Sequence, residues 1–257
     1  SMHGGLYAPW ANALRQRGYA VLAPDLRGWG QSVGGRRPGN IANYDVHIRD
    51  LDRLLSEARL RHPGLPVFLQ GESMGGTIAL YSQLTSTAAG RPLAVSGLIL
   101  NSPAMHITMF GAPEFITRPF IWSTARIGRL LPDVPALFVP PEFALRLVIK
   151  DAALRRQLVS DPLVVRVLPF AYLTGIDAAT QMVETHLSEI RVPLLVIHGE
   201  DDNLVPLSSS RKLIAEAGSS DKTLLSYAGV GHVSLLDSGR ERPWQDMTDW
   251  LDRHSAP

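Results

Sequence analysis

The chain has 257 residues, 45% of them hydrophobic, which suits one sizeable α/β domain or a core carrying an insertion. Its 25 basic and 24 acidic residues leave a net charge of +1, and no basic stripe is interleaved with aromatics, which argues against nucleic-acid binding. The absence of cysteine excludes disulfides, thiol catalysis and thiolate metal sites, and no apolar run approaches the ~20 residues of a membrane-spanning helix.

The amino terminus lacks the basic, apolar and small-residue succession of a secretory signal, so a cytoplasmic location is the expectation. Short apolar runs then alternate with amphipathic stretches, the pattern of a parallel sheet covered by helices. "YAVLAPD" (Tyr19–Asp25) reads as the first buried strand. After it, Ile48, Leu51, Leu54, Leu55 and Ala58 recur at helical spacing until Pro63-Gly64 stops the helix. "PVFLQG" (Pro66–Gly71) and "VSGLILNSP" (Val95–Pro103) follow as strands, with "GGTIALYSQL" a helix between them. "VPLLVIHGEDD" (Val192–Asp202) and "KTLLSYAGVGH" (Lys222–His232) complete the strands, and Trp244, Met247, Thr248 and Leu251 mark one face of a last helix.

Residues 104–187 break the alternation. Seven of the 19 prolines fall between Pro103 and Pro141, too dense for long uninterrupted helices. The expected division is a first core part at 1–103, an apolar helical cap at 104–187 and a second core part at 188–257. An apolar underside to such a cap favours substrates with acyl chains.

Gly71-Glu72-Ser73-Met74-Gly75 has the form G-x-S-x-G between a strand and a helix. There a serine sits on a strained turn, and the residues two positions either side must be small. A serine hydroxyl needs a neighbouring base, itself oriented by a third group. The Met74 N–H would lie at a helix start, aimed at a developing oxyanion. Among eight histidines, His232 alone sits at a strand end in the expected order. His47 and His62 flank a helix and read as surface residues. His198 reads as buried and hydrogen-bonded, and His106 and His186 belong to the cap. Glu200, Asp201 and Asp202 crowd one turn as candidates for the third group. Clustered carboxylates also suit a calcium ion, although the spacing of a calcium-binding helix–loop–helix is absent.

Five blocks in order carry a resemblance: "YAPWANALRQRGYAVLAPDLRGWGQSVG", "LPVFLQGESMGGTIAL", "SDPL" (Ser160–Leu163), "VPLLVIHGEDDNLVP" and "SDKTLLSYAGVGHVSLLD". Together they resemble the monoacylglycerol lipase and lysophospholipase-like branch of the α/β-hydrolases, from about Tyr7 to the last helix. The resemblance implies an α/β-hydrolase fold, a mostly parallel sheet flanked by helices with an inserted helical cap. It also implies Ser73 as nucleophile, His232 as base and Asp202 as the acid. The reaction implied is hydrolysis of a small-molecule acyl ester through an acyl-enzyme, without metal or organic cofactor and with transient contact to a lipid surface. Lysophospholipase, phenolic-ester esterase and amidase activities are the alternatives on the same fold, and a non-catalytic binding protein is the alternative outside enzymes.

Members of that branch have about three strands before the helix that here begins near Ala8, the third ending in a His-Gly turn that donates the second oxyanion N–H. His3-Gly4-Gly5 is either that turn, with the Gly5 N–H as donor, or part of the loop beyond it. On both readings a strand between "YAVLAPD" and "PVFLQG" is lacking, which would leave two rows of backbone groups unpaired. A missing amino-terminal segment or a second chain completing the sheet is therefore expected.

Overall fold

In the computed structural model, residues 2–35, 37–105, 114–138 and 141–255 are described. A 3-10 turn at Gly4–Tyr7 leads into α1 (Ala8–Gln16), and α2 follows at Asp45–Arg61. Then come β1 (Phe68–Glu72), α3 (Met74–Ala88) and β2 (Gly97–Asn101). Between β2 and the next core strand lie α4 (Glu114–Leu130), β3 (Pro135–Phe138), α5 (Pro141–Val148), α6 (Ala152–Ser160), β4 (Val167–Pro169) and α7 (Phe170–Thr185). The chain closes with β5 (Leu194–Gly199), α8 (Leu207–Glu216), β6 (Lys222–Tyr227) and α9 (Glu241–Ser255).

The main sheet runs β1-β2-β5-β6, every pair parallel, with Phe68 opposite Gly97, Leu98 opposite Leu194 and Leu194 opposite Lys222. Its interior strands are apolar along their length because helices cover both faces. Successive side chains alternate faces. Leu98, Leu100, Leu194 and Val196 point to one side, where they meet Leu80 and Leu84 of α3 and Leu213 of α8. Ile99, Leu195 and Ile197 point to the other, against Trp10 and Leu14 of α1 and Met247, Trp250 and Leu251 of α9. Trp244 packs on the same cluster, so the last helix presents the apolar face expected of it. Pro135–Phe138 and Val167–Pro169 form a separate two-stranded antiparallel ribbon.

Three expectations need correction. First, Tyr19–Asp25 takes neither helix nor strand, and Val21 and Leu22 stay 38% and 49% exposed. A strand requires a facing row of backbone groups, and here the row is across open space. The carbonyl of Val67 accepts from Ser96 and the amide of Ser73 donates to the Asn101 carbonyl, so alternate residues of β1 face β2. By the same alternation Phe68, Gln70 and Glu72 turn their N–H and C=O away from β2. Among the described residues those groups have no backbone partner. A cavity of about 1630 Å³ lined by Ala20–Asp25 on one side and Pro66–Glu72 on the other occupies the gap.

Second, the proline-rich stretch holds a 17-residue helix, α4, with Pro119 inside it. One proline removes one i→i−4 hydrogen bond, which a helix packed along its length tolerates. Pro132, Pro135 and Pro141 fall after α4 or at the start of β3 and α5, where no helical bond is lost. Third, His47 is buried rather than at the surface, 2% exposed, with its ring edge-on to Tyr44 at 5.2 Å. Burial pulls its pKa down to about 4, so it is neutral. His62 is exposed as expected, and His106 lies outside the described residues. No helix among the described residues is long and apolar enough to cross a membrane.

Candidate active site

Ser73 joins the end of β1 to the start of α3 with φ 54° and ψ −119°, a left-handed conformation that a non-glycine residue holds only when its surroundings enforce it. The enforcement is visible. Its N–H donates to the Asn101 carbonyl at 2.8 Å, and its carbonyl accepts from Gly76 at 3.0 Å and Ala104 at 3.1 Å. The steric requirement for small neighbours is distributed differently from the simple motif. A β-carbon on Gly71 would run into the Gly75 carbonyl, and one on Gly76 would come within 2.8 Å of the Pro103 β-carbon, whereas Gly75 faces open space. Gly71 and Gly76 are thus the glycines the turn demands. Met74 opens α3, so its N–H has no acceptor inside the helix.

The three acids of the β5 turn separate cleanly. Glu200 accepts from the Ser226 hydroxyl at 2.7 Å and Asp201 pairs with Lys150 at 2.6 Å. The Asp202 side chain, 1% exposed, holds His232 Nδ1 at 2.7 Å through Oδ2. Its other oxygen accepts the N–H groups of Leu204 and Val205 at 2.8 and 2.9 Å. Burial alone would raise the Asp202 carboxyl. The adjacent His232 and the two N–H donors outweigh it and hold the group below the usual carboxylate range. His198 is fully buried and bonded to the Ser210 hydroxyl and the Val205 carbonyl, as its position before the turn glycine suggests. His186 caps α7 against the Met182 carbonyl.

His232 and Ser73 line the same cavity, but among the described residues no hydrogen bond joins them. Hydrogen bonds of this kind are often loose without substrate and tighten on binding. The apolar side chains of the cavity lining include Met74, Met105, Leu168, Tyr172, Ile176 and Leu204. Ligand pockets commonly measure about 300–1,000 Å³. The volume here is larger because the pocket is continuous with the gap beside β1. Gly5 sits in the opening 3-10 turn beside the His3 ring. His3 bonds Asp161 of "SDPL" at 2.9 Å, and the Gly4 N–H donates to Asp25 at 2.7 Å.

Two residues escaped the sequence reading. Asp237, fully buried, accepts from the backbone N–H groups of Lys150, Asp151 and Ser238, tying the His232 loop to the chain between α5 and α6. Glu72, beside Ser73, accepts from the Tyr7 hydroxyl at 2.8 Å and the Leu235 N–H at 3.2 Å. Removal from water pushes its carboxyl up to about 7, against the opposing pull of Tyr7, His232 and Leu235. A carboxylate closing an apolar strand was the available signal for Glu72; nothing local marked Asp237.

A mostly parallel sheet with a strained serine at one strand end and an acid–histidine pair after two later strands defines an α/β-hydrolase. Residues 1–239 match the family described as "Serine aminopeptidase, S33". Human monoglyceride lipase is 32% identical over 263 residues, spanning 99% of this chain and 80% of its own length. The Mycolicibacterium smegmatis monoacylglycerol lipase is 28% identical, spanning 98% and 85%. The Arabidopsis thaliana caffeoylshikimate esterase is 28% identical, spanning 91% and 69%. The crystal structure of the Paleococcus ferrophilus monoacylglycerol lipase shares the fold with a TM-score of 0.83 at 24% identity, over 98% of this chain and 91% of that one. The chain belongs to this family, in its monoacylglycerol-lipase-like branch, and is a hydrolase.

Proposed function

We propose that the chain is a serine carboxylic ester hydrolase that cleaves monoacylglycerol-like or other apolar esters through an acyl-enzyme. The observation that carries this reading is the Asp202–His232 pair, whose His232 lines one cavity with the strained Ser73. Ser73 Oγ attacks the ester carbonyl while His232 Nε2 takes its proton. Asp202 fixes the ring through Nδ1 and stabilises the imidazolium. The Met74 N–H donates to the oxyanion from the start of α3. His232 then gives the proton to the departing alcohol, and water enters by the same route to release the acid. The relatives named as monoglyceride lipases support the acyl-glycerol class, and the apolar side chains lining the cavity suit the acyl chain.

The test is turnover of p-nitrophenyl esters of several chain lengths and of a monoacylglycerol by the parent and Ser73→Ala. Turnover that falls at least ~10³-fold in the variant supports the reading, and equal turnover in both refutes it. The family description favours one second reading, an amidase, which faster cleavage of amino-acyl p-nitroanilides than of esters would establish. We further propose that an extended polypeptide segment fills the gap beside β1, as the outward row of Phe68, Gln70 and Glu72 is fitted to pair with one. The Gly5 N–H remains the proposed second oxyanion donor, to be tested by Gly5→Pro, which deletes that donor.

A further inference from the structure

Glu72 has no part in the triad, yet the residue joins three pieces of the site. It leaves the backbone one residue before Ser73. One oxygen takes the N–H of Leu235, three residues beyond His232, and the other takes the Tyr7 hydroxyl from the opening turn. Glu72 thus anchors the His232 loop at Leu235, beside the bonds that hold Val233, Ser234 and Asp237.

We propose that Glu72 is a positioning residue for the reaction: its ionised carboxylate holds the His232 loop against the serine turn and stabilises the imidazolium that forms on His232. The proposal rests on the serine-hydrolase reading above. Tyr7 from the opening turn and the Leu235 N–H from the loop after β6 bond Glu72, and the charges of His232 in the same loop and Asp202 in the loop after β5 act on it. His232 favours the ionised form and Asp202 opposes it, so the charge on Glu72 and the proton on His232 are linked.

Linkage gives a consequence that a purely structural role lacks. Below about 7 Glu72 gains a proton and its charge no longer assists the imidazolium. The acid limb of the kcat/KM profile for p-nitrophenyl butyrate then depends on two protons, with a slope steeper than one in the logarithmic plot. In Glu72→Gln the amide oxygen still accepts from Leu235, but the titration is gone. The expected result is a limb of slope about one and a kcat reduced roughly tenfold with KM unchanged. Tyr7→Phe removes a donor that favours the carboxylate, so its limb moves to higher pH with the steep slope kept. A Glu72→Gln loss of activity with an unchanged profile, together with an unmoved limb in Tyr7→Phe, overturns the proposal.

A second measurement does not need turnover. The side-chain carboxyl carbon of Glu72 followed by NMR against pH should titrate near 7 in the parent and at higher pH in Tyr7→Phe. A Glu72 titration that Tyr7→Phe leaves unmoved overturns the role of Glu72. An inactive parent whose Glu72 titration does move in Tyr7→Phe instead overturns the hydrolase reading and leaves the Glu72 anchor standing.

Discussion

The two flanks of the sheet make opposite use of similar sequence. On the closed flank, β2 and β5 are hydrogen-bonded on both sides, and Leu98, Leu100, Leu194 and Leu195 are completely buried. On the open flank, Tyr19–Asp25 reads as an apolar strand, yet among the described residues it joins no strand ladder and leaves Leu22 half exposed. Apolar composition brings a segment to the sheet, but only a facing backbone row makes it a strand. The site straddles this difference. Asp202 follows the interior strand β5 and His232 the far edge strand β6, and the two are already locked together, while Ser73 and Glu72 end β1, whose outward backbone row has no backbone partner among the described residues.

The largest effect should come from the closed flank. Asp202→Asn leaves the shape of the pair but removes the charge that orients His232, and ester turnover should fall ~10⁴-fold at neutral pH. A loss below tenfold would detach Asp202 from the chemistry. Next in size, Leu195→Ala should cost ~2–5 kcal/mol by opening a void between β5 and the Trp250 side of the core. Leu22→Ala, on the open flank, should cost no more than ~0.5 kcal/mol. Urea midpoints for the two variants measure the contrast, and equal costs would abolish it.

Hydrogen exchange sharpens the same contrast without mutation. The outward amides of Phe68, Gln70 and Glu72 should exchange at least ~100-fold faster than those of Leu98 and Ile197. Protection of the outer row at the level of β5 would show that a partner already covers it.

The smallest effect is a pH dependence of stability. Glu72 has its carboxyl raised from 4.5 to about 7 in the folded chain, so the folded state binds more protons than the unfolded one between those values. Its contribution to stability is therefore fully present below about 4.5 and is lost as pH rises through about 7. Glu72→Gln should flatten that part of the curve in thermal melts from pH 4 to pH 8. A parent whose melting temperature instead rises across the window at Glu72-dependent amplitude would reverse the sign and contradict the burial argument.

Much of this was legible in the residues. Strand-end placement singled out Ser73 and His232, and the helices at 45–61, 74–88 and 241–255 follow from periodicity and caps. The choice of Asp202 over Glu200 and Asp201 needed the resemblance first and the structure second, because three carboxylates in one turn are chemically equivalent until partners are assigned. The reading of His47 as a surface residue failed because helix flanks do not reveal which face a neighbouring helix covers. Tyr19–Asp25 failed for the opposite reason: its pattern was that of a strand, and the missing term was a neighbour elsewhere in space. Glu72 and Asp237 were hidden because their roles lie in backbone N–H groups far along the chain.

The central claim is that Ser73 is the nucleophile fed by the Asp202–His232 pair. Its most direct test is labelling with a fluorophosphonate, followed by intact mass and peptide mapping. One adduct per chain, on Ser73, lost in Ser73→Ala and much slowed in Asp202→Asn, is the result predicted. An adduct on another residue, or equal labelling of parent and Ser73→Ala, would contradict the account.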